Sequence, residues 1–357
     1  IIYVAYVYDD ASENPKMIPL FEERQLKKIL AKNKTKNELY QSTELYNLLW
    51  KPLDKYIGKN VNVYFAPSGL LNQVSLAAIS NGKNVLINKY NLVQLSSTDA
   101  LVNKQNEPDI SNTLFIGGIN YEYSDHIADE HLIADNETYN YFESASFSNS
   151  RGTKTRGESW TELPGSLAEI QSLKSKFEAQ GNFVNTLSKN DATEANFKKL
   201  SGNSPSILHI ATHGFFFENL NMDAQFETDL TTEDQYRLAE DPLLRSGLIL
   251  AGANYAWKNR GKPNNEEEDG ILTAMEISNL DLSNTNMVVL SACETGLGDI
   301  DGSEGVYGLQ RAFQTAGAKA IIMRLWKVDD EATQQLMTLF YENWMKGQSK
   351  TTAFRNY

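Results

Sequence analysis

The sequence predicts an α/β protein: a doubly wound, mostly parallel sheet with helices on both faces, preceded by a smaller α/β lobe. Three observations carry that expectation. Short runs such as TLFIGGI, SILHIA and NMVVLSA are apolar almost throughout rather than alternating, as strands covered on both faces are. Between such runs stand segments with apolar residues at helical spacing, of which SLAEIQSLKSKFEAQG is the longest. Beyond residue 110, runs of the two kinds follow one another in turn, the pattern of parallel βαβ units.

Taken in order, the opening IIYVAYVY reads as a buried strand, and FEERQLKKILAKN and STELYNLLWKPLDKYI as helices. VNVYFAP is a strand running into the Ser-Gly turn of APSGLLNQ, and KYNLVQLSS is a further strand before the polar break NKQNEPDISN. Residues 1–110 are therefore expected to form the small lobe and 111–357 the main domain. In the latter, TLFIGGI and NFVNTL are strands, SLAEIQSLKSKFEAQG and ATEANFKKLSG are helices closed by Gly181 and Gly202, and SILHIA, NMVVLSA and AKAIIMRLW are three more strands. EATQQLMTLFYENW is a helix whose Leu336, Phe340 and Trp344 face the core. Two stretches, 119–161 and 218–270, read as irregular insertions, the second holding the acidic run NNEEEDG.

Composition narrows the function classes. No apolar run approaches the ~20 residues of a membrane helix, and with 46 acidic against 33 basic residues, net charge -13, no basic stripe offers a nucleic acid a footprint. Neither membrane nor nucleic acid is expected as a partner. A single cysteine excludes an internal disulfide framework and fits a reducing, cytoplasmic setting. The opening residues include neither an initiator Met nor a basic leader, which reads as a segment of a longer protein.

In open α/β sheets, sites form beyond the carboxyl ends of the strands. By that rule SILHIA delivers Thr212, His213 and Gly214, and NMVVLSA delivers Cys293, so the two loops share a cleft if the strands are neighbours. A thiol with an ordinary pKa near ~8.5 is little ionised at neutral pH, and a nearby imidazole can take its proton. The glycine after the histidine lets a backbone N–H approach a substrate carbonyl closely, so the amides of Gly214 and Cys293 are the oxyanion donors. A lone cysteine is more often buried and inert, and a lone loop histidine more often structural. Their conjunction at two strand ends is what favours acyl transfer. Of the other histidines, His209 lies inside its strand as a core residue, while His126 and His131 fall in the first insertion. His209 and His213 lack further ligands at suitable spacing, so no metal or organic cofactor is expected.

The motifs ILHIATHGFF, VVLSACETGLG, GSEGVYGLQRAFQTAGAKAIIM and LWKVDDEAT together resemble the CHAT domain, a caspase-like, separase-related group of cysteine peptidases often found after tetratricopeptide repeats. LYNLLWKPLDKYIGKNVNVYFAPSGLLNQVSLAAI and LVQLSST resemble the amino-terminal part of the same domain, implying that the small lobe is a degenerate first lobe as in separase-like enzymes. The resemblance implies Cys293 as nucleophile and His213 as general base or orienting imidazole, acting on a protein or peptide substrate. It also implies regulation by an upstream repeat region or a partner, and a role in bacterial defence. A catalytically silent scaffold that works through binding is the alternative.

Comparison with the caspase pattern assigns Ser291 to the pocket for the residue preceding the scissile bond, and Trp326 to the cleft wall. Alternation in AIIMRLW puts Arg324 on the face of Trp326, where CHAT domains usually carry a small hydroxyl residue. Its guanidinium fits an acidic substrate side chain or an internal partner. Asp299 and Asp301 in GDIDGSEG fit the opposite preference, a basic residue, unless Ser303 merely caps a helix EGVYGLQRAF and Asp301 is solvated. Both readings stay open.

Overall fold

The computed structural model describes residues 1–9, 13–33, 35–58, 61–95, 101, 110, 112–123, 159–219, 231–259, 261, 268–291, 299–301, 305–323 and 330–355. The chain divides into two compact units, one of residues 1–106, 299–307 and 339–357, the other of 107–298 and 308–338.

In the first unit, strands β1 (Ile2–Val7) and β2 (Lys16–Glu22) form an antiparallel hairpin followed by helices α1 (Glu23–Lys32) and α2 (Lys36–Gln41). The opening strand is not buried as expected. Tyr3 faces the core and stacks on its cross-strand partner Phe21 at 4.7 Å, while Ile2 and Tyr6 are 68% and 70% exposed on the opposite face. An antiparallel pair can be covered on one side only, and here the apolar content of the strand misled. The segment expected to be a continuous helix from Ser42 breaks into a π-turn at Tyr46–Trp50 and a 3-10 turn at Asp54–Tyr56, with Pro52 between them removing a helical donor. Asp54 gathers this region by accepting from the hydroxyls of Tyr46 and Tyr90 and from Lys89. Strands β3 (Asn62–Phe65) and β4 (Asn91–Gln94) run parallel.

The second unit holds β5 (Thr113–Ile119), α3 (Pro164–Ala179), β6 (Val184–Lys189), α4 (Glu194–Lys198) and β7 (Ile207–Ile210). These are followed by β8 (Gly214–Phe216), α5 (Thr232–Leu238), β9 (Ser246–Ile249), α6 (Ala253–Lys258), β10 (Ile271–Thr273), α7 (Ala274–Ser278) and β11 (Met287–Leu290). A hairpin of β12 (Asp299–Asp301) and β13 (Gly305–Tyr307) belongs to the first unit; α8 (Leu309–Thr315), β14 (Ile321–Met323), α9 (Asp330–Met345) and α10 (Lys350–Arg355) complete the chain. A five-stranded parallel sheet has the order β14-β11-β7-β5-β6, so the protein is mixed α/β as expected. Its central strands β7 and β11 are buried at every residue, which explains their unbroken apolar character.

Two local expectations are corrected. The 218–270 stretch is not irregular: among its described residues it carries α5, β9 and α6, and β9 joins β8 and β10 in an antiparallel sheet of order β10-β9-β8. The run SGLIL is a buried strand whose turns were hidden by the charged residues around it. The expected helix EGVYGLQRAF is also shorter at its start: its residues Gly305–Tyr307 form a strand, while Ser303 and Glu304 lie outside the described residues. Ile300 pairs with Val306 in the hairpin, and the helix starts at Leu309, because Gly305 and Gly308 disfavour helix and β-branched Val306 favours strand.

Candidate active site

Strands β7 and β11 are neighbours, in register from Met287 opposite Ile207 to Leu290 opposite Ile210. The ladders run one residue further, with the Ala211 amide donating to Ile116 O (2.7 Å) and the Ser291 amide to Ile210 O (2.8 Å). The His213 loop and the segment entering Cys293 therefore leave adjacent central strands at the same level. Cys293 itself, Arg324 and Trp326 lie outside the described residues, as do the side chains of Asp299 and Asp301.

His213 is half-buried and held on three sides. Its Nε2 lies 2.7 Å from Thr161 O. A carbonyl only accepts, so Nε2 carries a proton and, in the neutral ring, Nδ1 is the basic nitrogen. The rings of Tyr121 and Trp160 flank the imidazole, each with its centroid 5.2 Å away, within the ~6 Å over which an aromatic ring attracts a cation. The backbone beside it is fixed by a chain of hydroxyls: buried Thr212 donates through Oγ1 to Ile249 O (2.5 Å), which leaves that oxygen to accept from Tyr121 Oη (2.9 Å). Burial pushes the Tyr121 phenol up to about 12, although its hydrogen bonds with Thr212 and the His213 backbone oppose the rise. It stays protonated and keeps its place in the chain.

Gly214 opens β8. On either side of it, Ile249 N donates to His213 O (2.9 Å) and Phe217 N to Arg245 O (2.8 Å), so residues 213 and 217 belong to hydrogen-bonded pairs with β9 and its flanks. Alternation in an antiparallel pair makes Gly214, opposite Leu248, a non-hydrogen-bonded position whose N–H points away from β9. Phe215 is buried and anchors the strand, stacking on Phe217 at 5.0 Å.

Beneath the strand ends lies a polar layer. Glu169 on α3 is 6% exposed; its Oε1 meets His209 Nε2 at 3.1 Å and its Oε2 accepts from Ser291 Oγ at 2.9 Å. His209 is thus a satisfied core residue, as expected, with Phe115 edge-on at 5.7 Å. The hydroxyl of Ser291 is directed inward to this carboxylate.

A second polar cluster braces the turn before β10. Lys198 Nζ sits 2.7 Å from Glu194, 2.7 Å from Glu268 and 3.0 Å from Glu276, occupying the position a cation would take among three carboxylates. Glu194 also accepts from the Gly270 amide at 3.0 Å. Burial, then a hydrogen bond to Glu268 and the Glu276 charge, push the Glu194 carboxyl up from 4.5 to about 9. The folded protein then binds a proton at Glu194 that the unfolded chain has already released above 4.5. This group's contribution to stability is complete below the unfolded value and is lost as pH rises through the folded one. Glu194→Gln, which fixes the uncharged form, is expected to gain stability over the native chain progressively across that window. Urea midpoints of both proteins against pH check it, and a constant difference would contradict it.

Sequence reasoning missed Tyr121, Thr161, Trp160 and Glu169. Tyr121 was available from the rule that found His213, since it follows the carboxyl end of β5, where the register with β6 shifts around Gly118 (φ 63°). Trp160 and Thr161 stood at the end of a stretch read as an insertion, and nothing in their spacing links them to residue 213.

Among known protein families, a family model described as the CHAT domain matches residues 40–357. No curated protein matches the chain.

Proposed function

The chain belongs to the CHAT family, a caspase-like, peptidase-related group, and from that premise we propose that it is a cysteine endopeptidase with Cys293 and His213 as its dyad. The observation that carries this reading is the hydrogen bond from His213 Nε2 to Thr161 O. It leaves Nδ1 as the base at the end of a strand that runs beside the one leading to Cys293. We read the parallel sheet accordingly as a caspase-like, doubly wound core.

In this mechanism Nδ1 takes the thiol proton as Sγ attacks the scissile carbonyl. The oxyanion is held by the amides of Cys293 and Gly214, the latter aimed away from its ladder. The imidazolium, flanked by Tyr121 and Trp160, passes its proton to the leaving amine, and water, deprotonated by the same nitrogen, then hydrolyses the thioester. Substrate choice falls to Arg324 and Trp326 with Asp299 and Asp301: an acidic residue before the scissile bond if the guanidinium governs, a basic one if the aspartates do. An upstream repeat region or a partner protein would set when the enzyme is active.

Treating the folded protein with peptidyl acyloxymethyl ketones, followed by peptide mapping and a positional-scanning substrate library, tests the reading. A covalent adduct on Cys293 and cleavage of the same sequences are expected. A folded protein, with and without its upstream region, that forms no adduct and cleaves nothing would instead be a binding scaffold.

A further inference from the structure

The slot that holds His213 is closed by one residue remote in sequence. Asn254, at the start of α6, is fully buried. Its Oδ1 accepts from the Trp160 amide (2.7 Å), and its Nδ2 donates to Trp160 O (2.8 Å) and to Glu122 Oε1 (3.0 Å). Its own backbone amide donates to Tyr121 O (3.0 Å). One asparagine thus binds the main chain of both aromatic residues that flank the imidazole, and the residue after Trp160 supplies the carbonyl that Nε2 meets. The side-chain amide fits in one orientation only, because turning it over would set N–H against N–H and oxygen against oxygen. No smaller residue could make this two-point contact, and aspartate would put a carboxylate against Trp160 O and Glu122.

We propose that Asn254 is a positioning residue for His213: by pairing with both polar groups of the Trp160 backbone it presents the Thr161 carbonyl to Nε2 and fixes the tautomer whose Nδ1 is basic. Its side chain acts on His213 through the strap 160–161. The inference rests on the reading of His213 as the proton carrier, yet its physical content is a tautomer, which is measurable without turnover.

The chain has four histidines, so ¹⁵N-histidine labelling gives few signals, and His213→Ala assigns the relevant one. Long-range ¹H–¹⁵N correlation spectra are expected to show a pyrrole-like Nε2 and a pyridine-like Nδ1 for His213 in the native protein. In Asn254→Ala and in the near-isosteric Asn254→Asp, both nitrogens should move toward averaged shifts, while His209, locked against Glu169, keeps its pattern and reports an intact fold. Alkylation of Cys293 by iodoacetamide should slow in the same variants by up to about 10²-fold, the scale on which a displaced catalytic group loses rate. Unchanged His213 shifts in a variant that retains the His209 pattern would overturn the proposal. So would a native His213 protonated on Nδ1, a result that needs no variant to fold. A fixed native tautomer that relaxes in the variants, in a protein whose Cys293 resists acyloxymethyl ketones, would uphold the positioning role while removing the peptidase.

Discussion

His213→Ala is expected to slow peptide cleavage by about 10²–10⁴-fold, the range a positioned general acid–base supplies, and Cys293→Ala to abolish the covalent adduct. The two losses should not add. Residues that act as one unit fail together, so the double variant is expected to be no slower than Cys293→Ala alone. The argument is geometric: Nε2 is committed to Thr161 O, Gly214 N–H is turned out of the β8–β9 ladder, and β11 enters the Cys293 segment abreast of β7. Without the imidazole, the thiol loses its base and the leaving amine its acid. The pH profile carries a second signature, since the ascending limb that reports His213 ionisation should vanish in His213→Ala while thiol ionisation remains. Cleavage that persists at the native rate in His213→Ala would sink the dyad, and additive losses would mean that the two residues work in separate steps.

What the sequence made legible follows from the range of the forces involved. β7 and β11 were readable because burial on both faces demands apolar residues at every position, a local signal, and the rule that sites lie past strand ends then singled out His213. Of the supports of His213, Tyr121 lay within reach of that rule. Thr161 meets the imidazole from 52 residues away in sequence, and Asn254 braces the strap beside it, through backbone carbonyls that leave no periodicity behind. β1 failed for the opposite reason: its apolar composition was plain, yet whether both faces are covered depends on what packs there, and only Tyr3 and its neighbours across the hairpin face inward. The helix read behind a Ser303 cap gives way at Gly305 and Gly308, whose weak helical propensity leaves Gly305–Tyr307 to a strand.

Glu169→Ala should cost on the order of 3 kcal/mol of stability, because it takes a hydrogen-bond partner from two buried polar groups at about 1–3 kcal/mol each. The carboxylate is the shared acceptor for His209, which has no exposure, and for Ser291 on the adjacent strand end. Its removal leaves an imidazole and a hydroxyl in the sheet with lost partners, and neither can turn to water. For a unit of this size each kcal/mol moves Tm by roughly 2–4 °C, so a fall on the order of 10 °C is expected by calorimetry. Packing alone cannot account for such a loss, and a double variant separates the causes: Glu169→Leu with His209→Leu replaces the pair by apolar side chains of comparable volume. It should recover most of the stability, because apolar replacement of a buried polar pair is often neutral. If Glu169→Ala costs under 1 kcal/mol, the carboxylate is dispensable and the layer carries no such energy. If the double variant is as unstable as the single, the fault lies in the cavity. Because Ser291 stands two residues before Cys293, the same carboxylate also ties the end of β11 to α3, so Glu169→Ala should slow alkylation of Cys293 even below its lowered Tm.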